Sequence, residues 1–237
     1  MKSVSHRPVI VFLAAIVLSI SSIYWLVAQE KTAGSKSAIK TLNPNKPSDE
    51  NKMETATFGG GCFWCVEAVY QRVDGVKTVV SGYAGGQIVN PSYEAVCTGQ
   101  TGHAEVCQIT FDPSVVSFDE MLLIFFKTHD PTELNKQGAD VGTQYRSVVF
   151  YHDDAQRIAA EKMKAKLLEE KVFRKITTEI SPLPDFYPAE EYHQNYFKLH
   201  PGNSYCRNVI VDKVAKFEKL FKENSKKKKE LEAKKKK

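Results

Sequence analysis

Residues 55–72 read TATFGGGCFWCVEAVYQR, and the three glycines at 59–61 split them into two unlike halves. The segment 55–59 is predicted to be a strand ending in Gly59-Gly60-Gly61. A helix is predicted from Cys62 to about Arg72, with Asp74-Gly75 as its stop signal. A strand that feeds a helix through glycines suggests a phosphate loop. This one has neither the Lys–Ser/Thr ending nor the GxGxxG spacing, and a cysteine follows at once, so nucleotide binding is set aside.

Outward from this junction, Val76–Tyr83 reads as a strand and leads into a glycine-rich, proline-containing loop. His103–Phe111 alternates as a strand that Asp112-Pro113 ends. Ser117-Phe118-Asp119-Glu120 opens an apolar helix towards His129, with Ser117 as cap and Glu120 at its third position. Strands are expected at Arg146–Tyr151 and Ile176–Ile180. A long helix is expected from Asp153 or Asp154 to about Glu170, and helical segments at 189–197 and 212–221. This alternation implies an α/β or α+β domain with helices packed on a sheet, and there are too few βα units for a barrel.

The formal charge of +5 is unevenly spread. Residues 222–237 carry a net +6 and residues 1–53 a net +4, so 54–221 hold 17 basic and 22 acidic side chains. The segment expected to fold is mildly acidic, which argues against a nucleic-acid binder. No specific nucleic acid is expected as a partner. Residues 9–28 (VIVFLAAIVLSISSIYWLVA) lack formal charge and are long enough to cross a bilayer, with Tyr24 and Trp25 placed as interfacial aromatics. Residues 1–28 are therefore expected to be a membrane anchor. A signal peptide cleaved after Ala28 competes, although Leu26 fits its small-residue pattern poorly. The domain is expected to be membrane-anchored on the extracytoplasmic side, or secreted or periplasmic after cleavage. Residues 29–53 read as a flexible linker, 54–221 as one catalytic domain, and 222–237 as a Lys-rich solvated tail for which anionic lipid or RNA is the competing role.

Cys62-Phe63-Trp64-Cys65 is the sharpest local feature. Its position puts Cys62 in the first helical turn, where free backbone N–H groups stabilise a thiolate. A CxxC at a helix N-terminus fits thiol redox chemistry. Two simple alternatives remain: buried cysteines acting as small apolar residues, and half of a zinc site. Cys97, Cys107 and Cys206 offer no second close pair, so no metal is expected. From the motif alone, a general thiol–disulfide oxidoreductase leads. In the strand at 103–111, alternation places Glu105 on the face of Cys107, Ile109 and Phe111, where desolvation favours a protonated carboxyl. A glutamate that escapes to solvent at the strand entrance is the alternative. Glu190, Glu191 and His193 cluster without an HExxH spacing, and His193 is expected to serve as a structural hydrogen-bonding group near the site.

Several long blocks then resemble one family. GGGCFWCVEAVY (59–70), GYAGG (82–86), NPSYEAVCTGQTGHAEV (90–106), HDPTELNKQGADVGTQYRSVVF (129–150) and YPAEEYHQNYF (187–197) resemble the peptide-methionine (S)-S-oxide reductases, in the subgroup with a CFWC motif. The resemblance covers about 54–217. It implies an α+β fold, an α/β two-layer sandwich in which helices pack on a mixed sheet around a ferredoxin-like core with family-specific extensions. It also implies thiol-dependent reduction of the S epimer of methionine sulfoxide, free and in proteins. A membrane-tethered binding domain without activity is the non-enzymatic alternative.

By the same resemblance Cys62 is the nucleophile and becomes a sulfenic acid. Glu105 is the proton donor, and Tyr93 and Tyr145 donate hydrogen bonds to the sulfoxide oxygen. Phe63 and Trp64 wall the pocket that receives the substrate methyl, and Asp140 is an acidic pocket residue. Cys65 and Cys206 are the resolving and recycling thiols. Helix spacing favours Cys65 as the first resolver. Cys97 and Cys107 are given no redox role. No bound cofactor is expected, only an external dithiol such as thioredoxin, and the catalytic domain is expected to be a monomer.

Overall fold

The computed structural model describes residues 53–222. β1 (Glu54–Gly60) runs into α1 (Phe63–Tyr70), and β2 (Val76–Ala84) follows. α2 (Tyr93–Cys97) precedes β3 (Ala104–Phe111), and α3 (Phe118–Thr128) comes next. A two-residue hairpin, β4 (Lys136–Gln137) and β5 (Asp140–Val141), and a 3-10 turn at Thr143–Tyr145 lead to β6 (Ser147–Tyr151). α4 (Asp154–Glu169), β7 (Glu179–Pro182) and β8 (Phe186–Pro188) follow. A 3-10 turn at Glu191–His193 and α5 (Tyr196–Leu199) precede a run of π-turn, α6 (Val211–Phe217) and π-turn from Cys206 to Lys222.

Six strands form one mixed sheet in the order β7-β6-β1-β3-β2-β8, with only the β6–β7 pair parallel. Alternation along β3 sorts its side chains. Cys107, Ile109 and Phe111 join the main core under α1, α3 and α6, whereas Ala104 and Val106 meet Val148 and Phe150 on the other face. Leu183 and Phe186 pack against that second cluster, so the sheet curls around it. The expected mixed-sheet sandwich with a ferredoxin-like core is what the chain forms.

Two glycines at the decisive junction are required by geometry. A Cβ on Gly59 would stand 2.8 Å from Val148 Cγ1 and 2.9 Å from the Glu105 carbonyl, so β1 could not seat between β3 and β6. Gly61 has φ +88°, and a Cβ there would stand 2.6 Å from Gln137 Cγ. The expected cap at Ser117 is present as a full capping box with Glu120, and Asp153 caps α4 through the Gln156 amide.

Three expectations shift. The strand expected at 176–180 lies at Glu179–Pro182, because the Thr177 amide bonds to the Pro131 carbonyl and pairing with β6 begins only at Glu179. The helix expected at 189–197 is broken at Asn195 (φ +55°), where the Glu67 carboxylate accepts the amides of Asn195 and Tyr196. α2 forms inside the stretch expected to be loop, capped by Ser92.

The membrane expectation is corrected. Among the described residues no helix is long and apolar enough to cross a membrane, and the span expected at 9–28 lies outside them. Membrane anchoring, the membrane as a partner and the extracytoplasmic placement are therefore withdrawn. The linker expected at 29–53 and the tail at 222–237 also lie outside the described residues, except Met53 and Lys222.

Candidate active site

Cys62 occupies the N-cap of α1 with extended backbone (φ −55°, ψ 127°), and its side chain makes no capping bond. The amide of Phe63 donates instead to Glu105 Oε2 at 2.9 Å. The carboxyl on β3 thus takes the helix-end donor that sequence reasoning had assigned to a Cys62 thiolate. Cys107, one register position further along the same face, donates from Sγ to the Phe63 carbonyl at 3.4 Å. β3 therefore fixes the start of α1 through both backbone groups of one residue, Phe63.

Burial controls the acid–base state. Glu105 is 1% exposed and is pushed up to about 8; burial is the main cause, opposed by the Phe63 amide and reinforced by Asp140 and Cys65. It is a neutral acid at pH 7, as the alternation of β3 predicts. The Cys62 thiol is also raised, first by burial, then by its neighbour Cys65 and by Glu105. Cys65 is held down at about 7, chiefly because Cys62 donates a hydrogen bond to it, with Lys213 also contributing against burial. The expectation that the helix end lowers Cys62 is corrected. Within the pair Cys62 is the thiol and Cys65 the more acidic sulfur.

The expected tyrosines converge on this centre. Both Tyr93 and Tyr145 are raised, mainly by burial and also by Glu105, so both keep their hydroxyl protons at neutral pH. Tyr93 is placed at the start of α2 by Glu190, whose Oε1 accepts its amide at 2.9 Å while Oε2 accepts the Tyr83 hydroxyl at 2.9 Å. Phe63 is buried and Trp64 half-buried. With His193, Tyr93 and Tyr196 they form an aromatic wall: Trp64 stacks on Tyr196 at 3.6 Å, and the His193 ring lies 4.3 Å from Tyr93 and 5.1 Å from Phe63. Glu67 anchors this wall from inside α1 by holding the Asn195 and Tyr196 amides, and its own pKa rises to about 7 through burial.

His193 corrects a second expectation. It reaches the site, yet neither ring nitrogen has a hydrogen-bond partner, and Trp64 Nε1 is likewise buried and unpartnered. Burial holds His193 neutral. Buried polar atoms without partners cost about 1–3 kcal/mol each.

Asp140 lies on the small hairpin, where Oδ2 accepts the Tyr205 hydroxyl at 2.6 Å, and Tyr205 Oη lies 3.7 Å from Cys65 Sγ. Sequence reasoning missed Tyr205 and Lys213, and weighed Glu190 only within a cluster that lacked a metal-binding spacing; the signal available for Tyr205 was its place directly before Cys206. All five cysteines are free. Cys206 is buried at the start of the π-turn, Cys107 is buried, and Cys97 is exposed on α2. Among the described residues no group of three His, Cys, Asp or Glu is arranged to hold a metal ion. Two surface cavities of about 620 and 720 Å³ lie elsewhere, the first beside His129 and Lys216, the second beside Gln71 and Phe197.

Two neighbouring cysteines at a strand–helix junction, facing a neutral buried carboxyl, define a thiol-based redox enzyme on an α+β sheet. The family model for peptide methionine sulfoxide reductase matches residues 54–226. A relative from Saccharolobus solfataricus, "Peptide methionine sulfoxide reductase MsrA", is 57% identical over 169 residues, covering 71% of this chain and 95% of its own. One of the same name from Polynucleobacter asymbioticus is 55% identical over 181 residues, covering 75% and 95%. Among solved structures, the reduced form of Mxr1 from Saccharomyces cerevisiae superposes with a TM-score of 0.62 at 39% identity, covering 65% of this chain and 90% of that one. Methionine sulfoxide reductase A of Corynebacterium diphtheriae gives 0.57 at 36%, covering 66% and 77%. The chain belongs to the peptide methionine sulfoxide reductase family.

Proposed function

We propose that the protein is a thiol-dependent reductase of the S epimer of methionine sulfoxide, free and within oxidised proteins, and that it repairs oxidative damage. The observation that carries this reading is a neutral acid held against the nucleophile's helix: Glu105, raised to about 8, bonded to the amide that follows Cys62. A sulfoxide oxygen is a weak leaving group until it is protonated. Such an acid, with two protonated tyrosines beside it, supplies that proton without a fixed positive charge.

In the first step Cys62 Sγ attacks the sulfoxide sulfur while Glu105 protonates the oxygen held by Tyr93 and Tyr145. The oxygen ends on Cys62 as a sulfenic acid, and methionine leaves reduced by two electrons. Phe63 and Trp64 receive the methyl group, and Asp140 with Tyr205 borders the pocket. In the second step Cys65 attacks the Cys62 sulfur and water leaves. Exchange with Cys206 then passes the disulfide to an external dithiol of the thioredoxin class, which restores both thiols. Supporting this order, Cys65 is one turn from Cys62 and the more acidic of the two.

The test incubates the full chain with separate R and S sulfoxides and dithiothreitol. Reduction confined to the S epimer and abolished in C62S is expected. Equal use of both epimers, or activity retained in C62S, refutes the reading.

A further inference from the structure

Cys65 is closed from solvent, and burial opposes its ionisation. The groups facing it differ in sign. Tyr205 Oη is 3.7 Å from Cys65 Sγ, but Tyr205 donates its single proton to Asp140 at 2.6 Å. Tyr205 is nonetheless among the groups that ease ionisation of Cys65, behind Cys62 and Lys213. Asp140 opposes a thiolate at Cys65, Glu105 does so once it has given up its proton, and Cys107 and Cys206 act in the same sense. Cys62 eases ionisation by donating its thiol hydrogen, but that hydrogen bond no longer exists once Cys62 has become a sulfenic acid.

One cation addresses this sulfur. Lys213 stands on α6, which packs across α1, and its Nζ lies 3.8 Å from the point a Cβ on Gly61 would occupy. Gln137 fills the space beside Gly61 and the ammonium stands just beyond it; Gly61 directly precedes Cys62, so the charge lies at the base of the CxxC turn. Lys213 has no salt-bridge partner among the described residues. The charge of this half-buried ammonium acts on the Cys65 sulfur and eases its ionisation.

We propose that Lys213 is a positioning residue for the second half-reaction: its ammonium holds Cys65 as the thiolate while that sulfur attacks the sulfenic sulfur of Cys62. The step rests on the reading of Cys65 as first resolver. An S–S bond forms and the Cys62 S–O bond breaks. The oxygen leaves as water, taking up the proton that Cys65 released. Cys65 is oxidised and Cys62 reduced by one formal unit each, with no outside electron carrier.

The magnitude follows from thiol chemistry. Lys213 supplies only part of the lowering of Cys65, behind the hydrogen bond from Cys62. Losing one neighbouring charge makes a thiol about tenfold less acidic and lowers its thiolate fraction below the pKa by the same factor. The more basic thiolate is about threefold more nucleophilic, leaving a net slowing of about threefold at neutral pH. The same arithmetic reverses the order in alkali, so the two rate profiles cross.

The experiment uses the full chain in a C206S background with stoichiometric sulfoxide and no reductant. The lifetime of the Cys62 sulfenic acid is read by timed quenching into dimedone and mass spectrometry, normalised to methionine released. Lys213→Met is expected to lengthen that lifetime about threefold at pH 7 and shorten it above the crossing. Lys213→Arg is expected to restore the original profile. Titration of Glu105 is common to all variants and divides out of the comparison. An unchanged lifetime, or a slowing of the same size at every pH, overturns the proposal. Cys65→Ser distinguishes the two levels. If it keeps the original lifetime, Cys65 is not the resolver and both readings fall; if it prolongs the lifetime while Lys213→Met does not, only the role of Lys213 falls.

Discussion

Glu105→Gln isolates the proton donor from its structural duty. The amide oxygen of glutamine still accepts the Phe63 amide, so the start of α1 is kept, whereas alanine would leave that buried N–H unpaired. What glutamine lacks is a transferable proton. Positioned general acids contribute about 10²- to 10⁴-fold, so a loss of about 10³-fold, roughly 4 kcal/mol, is expected at pH 7. The pH profile carries the sharper signature. With Glu105 at about 8 and Cys62 raised well above an ordinary thiol, the reactive pair is an acid plus a thiolate. The wild-type rate climbs to pH 8 and then flattens, because each thiolate gained is offset by an acid proton lost. Glu105→Gln has no such offset and keeps climbing, so the gap narrows about fivefold between pH 8 and pH 9. The assay is single-turnover methionine release from the S sulfoxide by rapid quench between pH 6 and pH 10. A variant within about threefold of wild type at pH 7, or one that still bends near pH 8, refutes the assignment.

Cys65→Ser and Cys206→Ser are expected to leave the first methionine release intact and to impair thioredoxin-driven turnover. Cys65→Ser should be the more severe, and comparing burst with steady-state rates reveals the reverse order if it holds. Gly61→Ala combines a positive φ with a Cβ placed 2.6 Å from Gln137, and a loss of about 1–3 kcal/mol is expected in urea unfolding. An unchanged midpoint would show that the junction relaxes freely.

Much of the site is legible in the sequence because it is local. The strand–GGG–helix junction, the CxxC turn and the period-2 face that buries Glu105 each depend on residues within a few positions of one another. What is not legible is set by long-range neighbours. Tyr205 meets Asp140 from 65 positions away and Cys65 from 140, and no periodicity links them. His193 illustrates the same limit: its approach to the site could be read, but its unpartnered nitrogens could not. The strand expected at 176–180 moved because the Pro131 carbonyl, distant in sequence, claims the Thr177 amide.

The sequence by itself determined an α+β domain built around a cysteine at a strand–helix junction, because strand alternation, caps and glycine turns are written in neighbouring residues. Only the tertiary structure decided which sulfur is acidic. Cys62 and Cys65 start the same helix, yet burial beside Glu105 raises one, while the other gains a hydrogen bond from Cys62 and the charge of Lys213 on α6. Ionisation responds to desolvation and to charges within several ångströms, and folding alone brings those charges together.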